Sequence, residues 1–210
     1  MMIALTFDDG YLEHYAYAKV LRALDVKATF YITTHVSELL GRKLLNIKPE
    51  LIAEMADMGH EIGSHTCTHP DSTTIDSYKL IEELENSKKF LENITGREVV
   101  GFAYPYGRYN ERVAEAVKKF YAYARSTELV GRGKELYNAP PKSLYELGAV
   151  PVFSLRMMWL PRFVWNAYLY KDAKPIAYTH TPSILKLILI VATLKSLGFN
   201  FVTVRQLFKV

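Results

Sequence analysis

Two adjacent carboxylates, Asp8 and Asp9, follow the apolar run Ile3 to Phe7 and precede Gly10. Where a strand ends and a glycine lets the chain turn, both acids can swing into one pocket, and their mutual repulsion there calls for a cation. The same triplet also suits a solvated loop in which one acid caps the next helix. Two imidazoles, His65 and His69, stand four residues apart in Ser64-His65-Thr66-Cys67-Thr68-His69-Pro70, just after a second candidate strand. One turn of chain with that spacing brings both ring nitrogens to a single metal. Cys67 would point away from such a turn and reads as a small buried apolar residue. Gly101-Phe102-Ala103-Tyr104-Pro105-Tyr106-Gly107 runs from a strand into a tight aromatic turn, where Tyr106 or its backbone N–H could donate to a developing oxyanion. Ile176-Ala177-Tyr178-Thr179-His180 ends another strand on an imidazole, a position suited to a general acid or base. One carboxylate and two histidines make a metal set with an open position, leaving a second acid as base and a third histidine as acid. That is the equipment of metal-assisted hydrolysis.

The elements that must position these residues alternate along the chain. β-branched or aromatic runs predict strands at Ile3 to Phe7, Ala28 to Thr33, Glu61 to Ser64, Gly101 to Tyr104, Tyr121 to Arg125, Gly148 to Phe153, Ile176 to Thr179 and Phe199 to Val204. Helical periodicity predicts Leu12 to Leu24, Pro49 to Met58, Ser77 to Asn93, Glu111 to Phe120 and Ser183 to Leu197. Repeated β-α units imply an α/β fold around a parallel sheet. A chain of 210 residues is short for a full eight-unit barrel, so a shortened, irregular barrel is expected, with an open doubly wound sheet as the alternative. In both architectures the chemistry lies at strand carboxyl ends, where all four motifs fall.

Composition sets limits. Half the residues are apolar and 23% are charged, which excludes a disordered tail and fits one domain over residues 1–210. The single cysteine excludes a disulfide framework and a cysteine-rich zinc module. A formal charge of +4, from basic residues scattered along the chain without a stripe, gives no sign of a nucleic-acid partner. The N-terminus has no basic and apolar leader pattern, and Ile184 to Leu194 is too short to cross a bilayer as a helix, so no stable membrane insertion and a cytoplasmic setting are expected. Met157 to Trp165 mixes apolar, aromatic and basic residues; it reads first as a packing segment and second as a surface for a membrane or an acyl chain.

The order Thr6-Phe7-Asp8-Asp9-Gly10, Ser64 to Pro70, Tyr104-Pro105-Tyr106-Gly107 and Tyr178-Thr179-His180 resembles the polysaccharide deacetylase family, carbohydrate esterase family 4. The resemblance implies an irregular (β/α) barrel of about seven units with outer helices, within the small end of the barrel range. It maps a metal triad onto Asp9, His65 and His69, with zinc, or alternatively cobalt, nickel or manganese, as the divalent ion. It maps the base onto Asp8 and the acid onto His180, with the Tyr106 amide as a further oxyanion donor. The implied reaction removes an N-acetyl or other short N-acyl group from an amino sugar, an oligosaccharide or a glycan-linked intermediate. An amidohydrolase of a non-sugar C–N bond and a non-catalytic carbohydrate-binding protein are the alternatives. Two departures stand out. Ala103 occupies a position that is arginine in many family members, and Arg125, at the end of the next predicted strand, is the candidate to supply that guanidinium. The final motif lacks its usual aspartate, and Trp159 and Trp165 are candidates for the pocket lining against a more ordinary place in the core.

Overall fold

The computed structural model describes residues 1–127, 130–152 and 159–210, and the side chain of Trp159 lies outside that description. Its centre is a parallel sheet of β1 (Met2–Phe7), β2 (Thr29–Ile32), β5 (Glu61–Ser64), β6 (Gly101–Ala103), β7 (Tyr123–Arg125) and β8 (Ile176–Thr179), in the order β7-β6-β5-β2-β1-β8. A short antiparallel hairpin, β3 (Glu38–Leu39) with β4 (Arg42–Lys43), stands off the sheet. The last strand, β9 (Asn200–Val202), pairs with the start of β1 through Met2↔Asn200 to Ala4↔Val202, while β8 takes Ala4 to Phe7. Five of the six β1 residues are buried, as expected for a strand covered on both faces.

The sheet curls into a half-barrel. Between its outer strands the chain at 147–150 bridges Arg125↔Leu147 on one side and Val150↔Ala177 on the other. The strand predicted at Gly148 to Phe153 therefore exists, among the described residues, only as part of this seam; Phe153 lies outside them. The physical reason is local. The Asn138 side chain ties both the N–H and the carbonyl of Gly148, and Pro151 has no N–H to extend a ladder.

The helices surround this sheet: α1 (His14–Ala23), α2 (Pro49–Asp57), α3 (Ser77–Thr95), α4 (Glu111–Val117), α5 (Trp159–Leu169), α6 (Ile184–Ser196) and α7 (Val204–Phe208). Their packing runs α6-α1-α2-α3-α4 around the outside. Starts and stops follow the chain's punctuation. Asp76, Asn110, Ser183 and Thr203 cap α3, α4, α6 and α7 with side-chain acceptors, and Gly96 ends α3 in the left-handed region. The sequence pattern does not announce the β3–β4 hairpin, α5 or α7, and Val204, expected to end a strand, opens α7 instead.

The interior is filled by large side chains where the strands carry glycine. Gly63 lies against the Tyr31 ring and Gly101 against Tyr123, positions at which any Cβ would collide. The Tyr31 hydroxyl donates to Tyr123 at 3.1 Å, and Tyr123 donates to the buried Glu61 at 2.8 Å. Above this network, towards the strand carboxyl ends, lies Arg125, whose guanidinium sits 5.0 Å over the Tyr31 ring.

Candidate active site

Asp8 and Asp9 leave β1 in different directions because the backbone turns between them. Asp9 has φ 74° and Gly10 φ 77°. The left-handed region is costly for an aspartate and is held here by its surroundings: the Asp9 carbonyl accepts from the Thr33 N–H at 3.2 Å, and a Cβ on Gly10 would stand 3.0 Å from the Ile32 backbone. Asp8 reaches across to β7 and pairs with the guanidinium of Arg125. Asp9 instead faces the imidazoles of β5's exit loop, with Oδ1 3.4 Å from His65 Nε2 and 3.3 Å from His69 Nε2. Burial alone would raise the Asp9 carboxyl, yet the bonds from His65 and His69 and their charge bring it well below the usual carboxylate range.

The loop that carries the imidazoles is fixed from three sides. His65 Nδ1 donates to the Ala103 carbonyl at 2.8 Å, which leaves its Nε2 turned to Asp9. Thr66 and His69 both take positive φ, and the Thr66 hydroxyl accepts the His69 N–H at 3.0 Å. Glu83 of α3, itself buried, accepts the Cys67 and Thr68 N–H groups at 2.8 Å each and the Thr68 hydroxyl at 2.7 Å. Cys67 is buried, outside the cluster, and burial pushes its thiol up to about 11. The position without the expected arginine, Ala103, thus orients a metal-ligand candidate through its backbone.

Arg125 occupies the space beneath the cleft. It is almost fully buried, donates to the Ser126 carbonyl at 2.8 Å, and lies between the rings of Tyr31 and Tyr178. Burial would push the guanidinium down, but the Asp8 charge beside it leaves it raised. On the opposite wall His180 is half exposed, with Nε2 3.8 Å from Asp9 Oδ2. Its backbone carbonyl accepts from Nε2 of His14 at 2.8 Å. His14 is enclosed by the rings of Phe7, Tyr11, Tyr17 and Phe30, and burial brings its pKa down to about 4, so the ring is neutral.

Asp8, Asp9, His65, His69, Tyr106 and His180 line one cleft of about 580 Å³ at the strand carboxyl ends. Tyr106 stands at φ 58°, with its ring 4.7 Å from that of His69. The β3–β4 hairpin adds Leu39, Leu40 and Arg42 to the wall. Trp165 is 70% exposed on α5, neither lining the cleft nor in the core, and the Trp159 side chain falls outside the described residues. Glu83 and His14 were not read as site residues. Each had one signal, a polar side chain on an apolar stripe: Glu83 beside Leu80, Leu84 and Leu91, His14 beside Tyr17, Ala18 and Leu21.

A family model described as polysaccharide deacetylase matches residues 1–124. The chain belongs to the polysaccharide deacetylase family. The match includes Asp8, Asp9, His65 and His69, and it stops one residue short of Arg125. Among curated relatives in this family, peptidoglycan-N-acetylmuramic acid deacetylase PdaA of Bacillus subtilis is 35% identical over 121 residues, covering 56% of this chain and 43% of that protein. The aligned part of the chain spans about two fifths of the length of the curated relatives it matches first. Solved structures extend the likeness of fold to the whole chain. The Xyl-CE4 domain of a multidomain xylanase from the hindgut metagenome of Trinervitermes trinervoides has a TM-score of 0.70 at 24% identity, covering 99% of this chain and 89% of that one. A family 4 acetyl xylan esterase from Clostridium thermocellum, in complex with a cobalt ion, has a TM-score of 0.67 at 18% identity, covering 100% and 91%.

The residues fit the divalent metal that this family implies. One ligand atom from each of Asp9, His65 and His69 lies within 4.8 Å of the other two. The Ala103 bond takes the Nδ1 proton of His65, so the neutral ring offers its Nε2 lone pair beside Asp9 Oδ1 and His69 Nε2, an arrangement that a cation satisfies.

Proposed function

We propose that the protein is a metal-dependent hydrolase that removes an N-acetyl or other short N-acyl group from an amino sugar, an oligosaccharide or a glycan-linked intermediate. The observation that carries this reading is the division of labour between neighbouring acids: Asp9 faces His65 and His69, and Asp8 faces Arg125. Two carboxylates with separate partners can serve as ligand and base at once.

A divalent ion held by Asp9, His65 and His69, zinc in this proposal, supplies Lewis acidity to the acyl carbonyl and to the attacking water. Asp8 takes the proton from that water as its oxygen adds to the acyl carbon, and Arg125 holds the carboxylate in place for the transfer. The backbone N–H of Tyr106, at the turn beside His69, donates to the oxyanion that develops on the acyl oxygen. His180, from the opposite wall, gives its proton to the nitrogen as the C–N bond breaks, releasing a carboxylic acid and a free amine. Its half-exposed ring can regain a proton from solvent between turnovers. The aromatic and apolar rim of Tyr11, Tyr106, Tyr178 and Leu39 suits the apolar face of a sugar ring.

Metal content and release of acetate from a panel of N-acetylated sugars test the reading together. Asp8→Asn is expected to retain metal and lose about 10³-fold in kcat, whereas His65→Ala loses both metal and activity. A metal-loaded wild type that releases no acyl group from any amino sugar would move the assignment to a non-sugar C–N bond or to a binding role.

A further inference from the structure

The two ends of the chain differ in charge in a way that the even scatter of basic residues conceals. From Leu147 to Val210 the sequence carries eight Lys and Arg residues and one acid, Asp172, whereas the residues before Leu147 are net acidic; on α5 and α6 themselves stand Arg162, Lys186 and Lys195, with no acid on either helix. The same stretch carries an unusual apolar surface. Among the described residues α1, α2 and α4 expose no large apolar side chain and α3 exposes only Tyr78. By contrast α5 exposes Trp165, Tyr168 and Leu169, and α6 exposes Ile184, Leu185 and Leu189, with Trp165 at 70%, Leu185 at 67% and Leu189 at 58%. The two helices join where the Tyr168 hydroxyl donates to the Leu197 carbonyl at 2.5 Å.

We propose that the exposed face of α5 and α6 docks the protein on an anionic lipid surface. A water-facing helix of this protein looks different: α3 lays out its exposed side with the ion pairs Lys79–Glu82 and Lys89–Glu85. α6 contains no acid at all, and its exposed residues are Ile184, Leu185, Leu189, Ala192, Thr193, Lys195 and Ser196. Leucines that enter the acyl boundary, Trp and Tyr at headgroup depth, and cations that meet lipid phosphates are what such a surface rewards. A second copy of this chain would bring the same cations against themselves across a two-fold interface. The thirteen residues of α6 are too few to span a bilayer, and among the described residues no helix is long and apolar enough to cross one, so the helix lies along the surface.

The placement ties this face to the cleft. Ser183, the cap of α6, follows His180 by three residues, and His180 and Thr181 line the cleft mouth. Docking through Ile184 and Leu185 therefore sets the mouth beside the headgroups. That a membrane-held N-acyl sugar would then enter it rests on the deacylase reading; docking itself does not.

Co-sedimentation with vesicles of phosphatidylcholine, alone or mixed with phosphatidylglycerol, decides the matter without any substrate. The expected result is binding at least about tenfold tighter to the anionic vesicles, weakened by added salt. The combined variant Trp165→Ser, Leu185→Ser, Leu189→Ser should lose that binding while its circular dichroism and its metal content stay those of the wild type. Equal or absent binding to both vesicles would overturn the proposal. So would a dimer in analytical ultracentrifugation that the same three substitutions dissociate, since the face would then belong to a second copy. Loss of deacylase activity with vesicle binding intact would count against the function proposed above and leave the docking surface standing.

Discussion

The two walls of the cleft are built on different terms. On the side of β1, β5 and β6, Asp9, Thr66, His69 and Tyr106 all take left-handed backbone angles, and Glu83, Ala103 and Thr66 anchor the histidine loop through buried hydrogen bonds. On the other side the half-exposed His180 is tied by its backbone carbonyl to His14, and the wall closes through two isolated bridges at 147–150. Groups that must converge on a cation need fixed positions, and the strain they carry is offset by the loops that hold them. A group that must give up and regain a proton needs contact with water. In the proposed mechanism the first wall supplies geometric stringency and the second proton exchange.

Breaking the link beneath the walls should have the largest effect. Arg125→Ala leaves Asp8 buried without its cation, and is expected to cost about 3–5 kcal/mol of stability and about 10²-fold in kcat, read by urea unfolding and acetate release. Arg125→Lys should recover part of both. An Ala variant with wild-type kcat would show that Asp8 needs no partner for its task.

The stringency of the first wall is sharpened by Glu83→Gln. The amide can still accept but weakens the bonds from Cys67 and Thr68, so metal affinity should fall about 10- to 100-fold by competition with a chelator, with little change in kcat at saturating metal. Unaltered affinity would mean that the left-handed turns alone position the ligands.

The smallest change in activity is expected from His14→Phe, which keeps the ring and removes the donor to His180: about tenfold in kcat, with metal affinity unchanged. The same variant carries a signature in stability. His14 is neutral when folded, with a pKa brought from 6.5 down to about 4 by burial. As pH falls below the unfolded value the unfolded chain takes up the proton first. The native state is therefore at full advantage above about pH 6.5, loses it between 6.5 and 4, and changes no further through this group below 4. The loss amounts to about 3 kcal/mol for the wild type, and the slope of urea stability against pH should flatten in the variant.

What the sequence exposed and what it hid divides along range. Asp8 with Asp9 and His65 with His69 are close in the chain and end strands, so their meeting in one cleft was legible from spacing. Arg125 was legible only through the resemblance, as the strand-end cation that could replace the arginine absent at Ala103. Glu83 and His14 act on residues far away in sequence, and only their seats on apolar stripes marked them. The strand pattern likewise located seven of the eight expected strands, and failed at Gly148 to Phe153, where Asn138 takes over the backbone bonds that a neighbouring strand would have made. The β3–β4 hairpin is too short to show any period, although it walls the cleft.

The pairing of β9 with the first half of β1 has a consequence for how the chain acquires its shape. Met2 to Ala4 and their partners, Asn200 to Val202, are separated by every other element of the sheet, so β1 is made long before β9. Until β9 has been made, the base of the strand that carries both acids has an open edge, so the earlier β-α units can collapse around it while its final register waits. Contacts this distant close slowly, and an unpaired edge in the meantime invites association with other chains. Efficient production of this fold should therefore depend on what shields the start of β1 until β9 arrives.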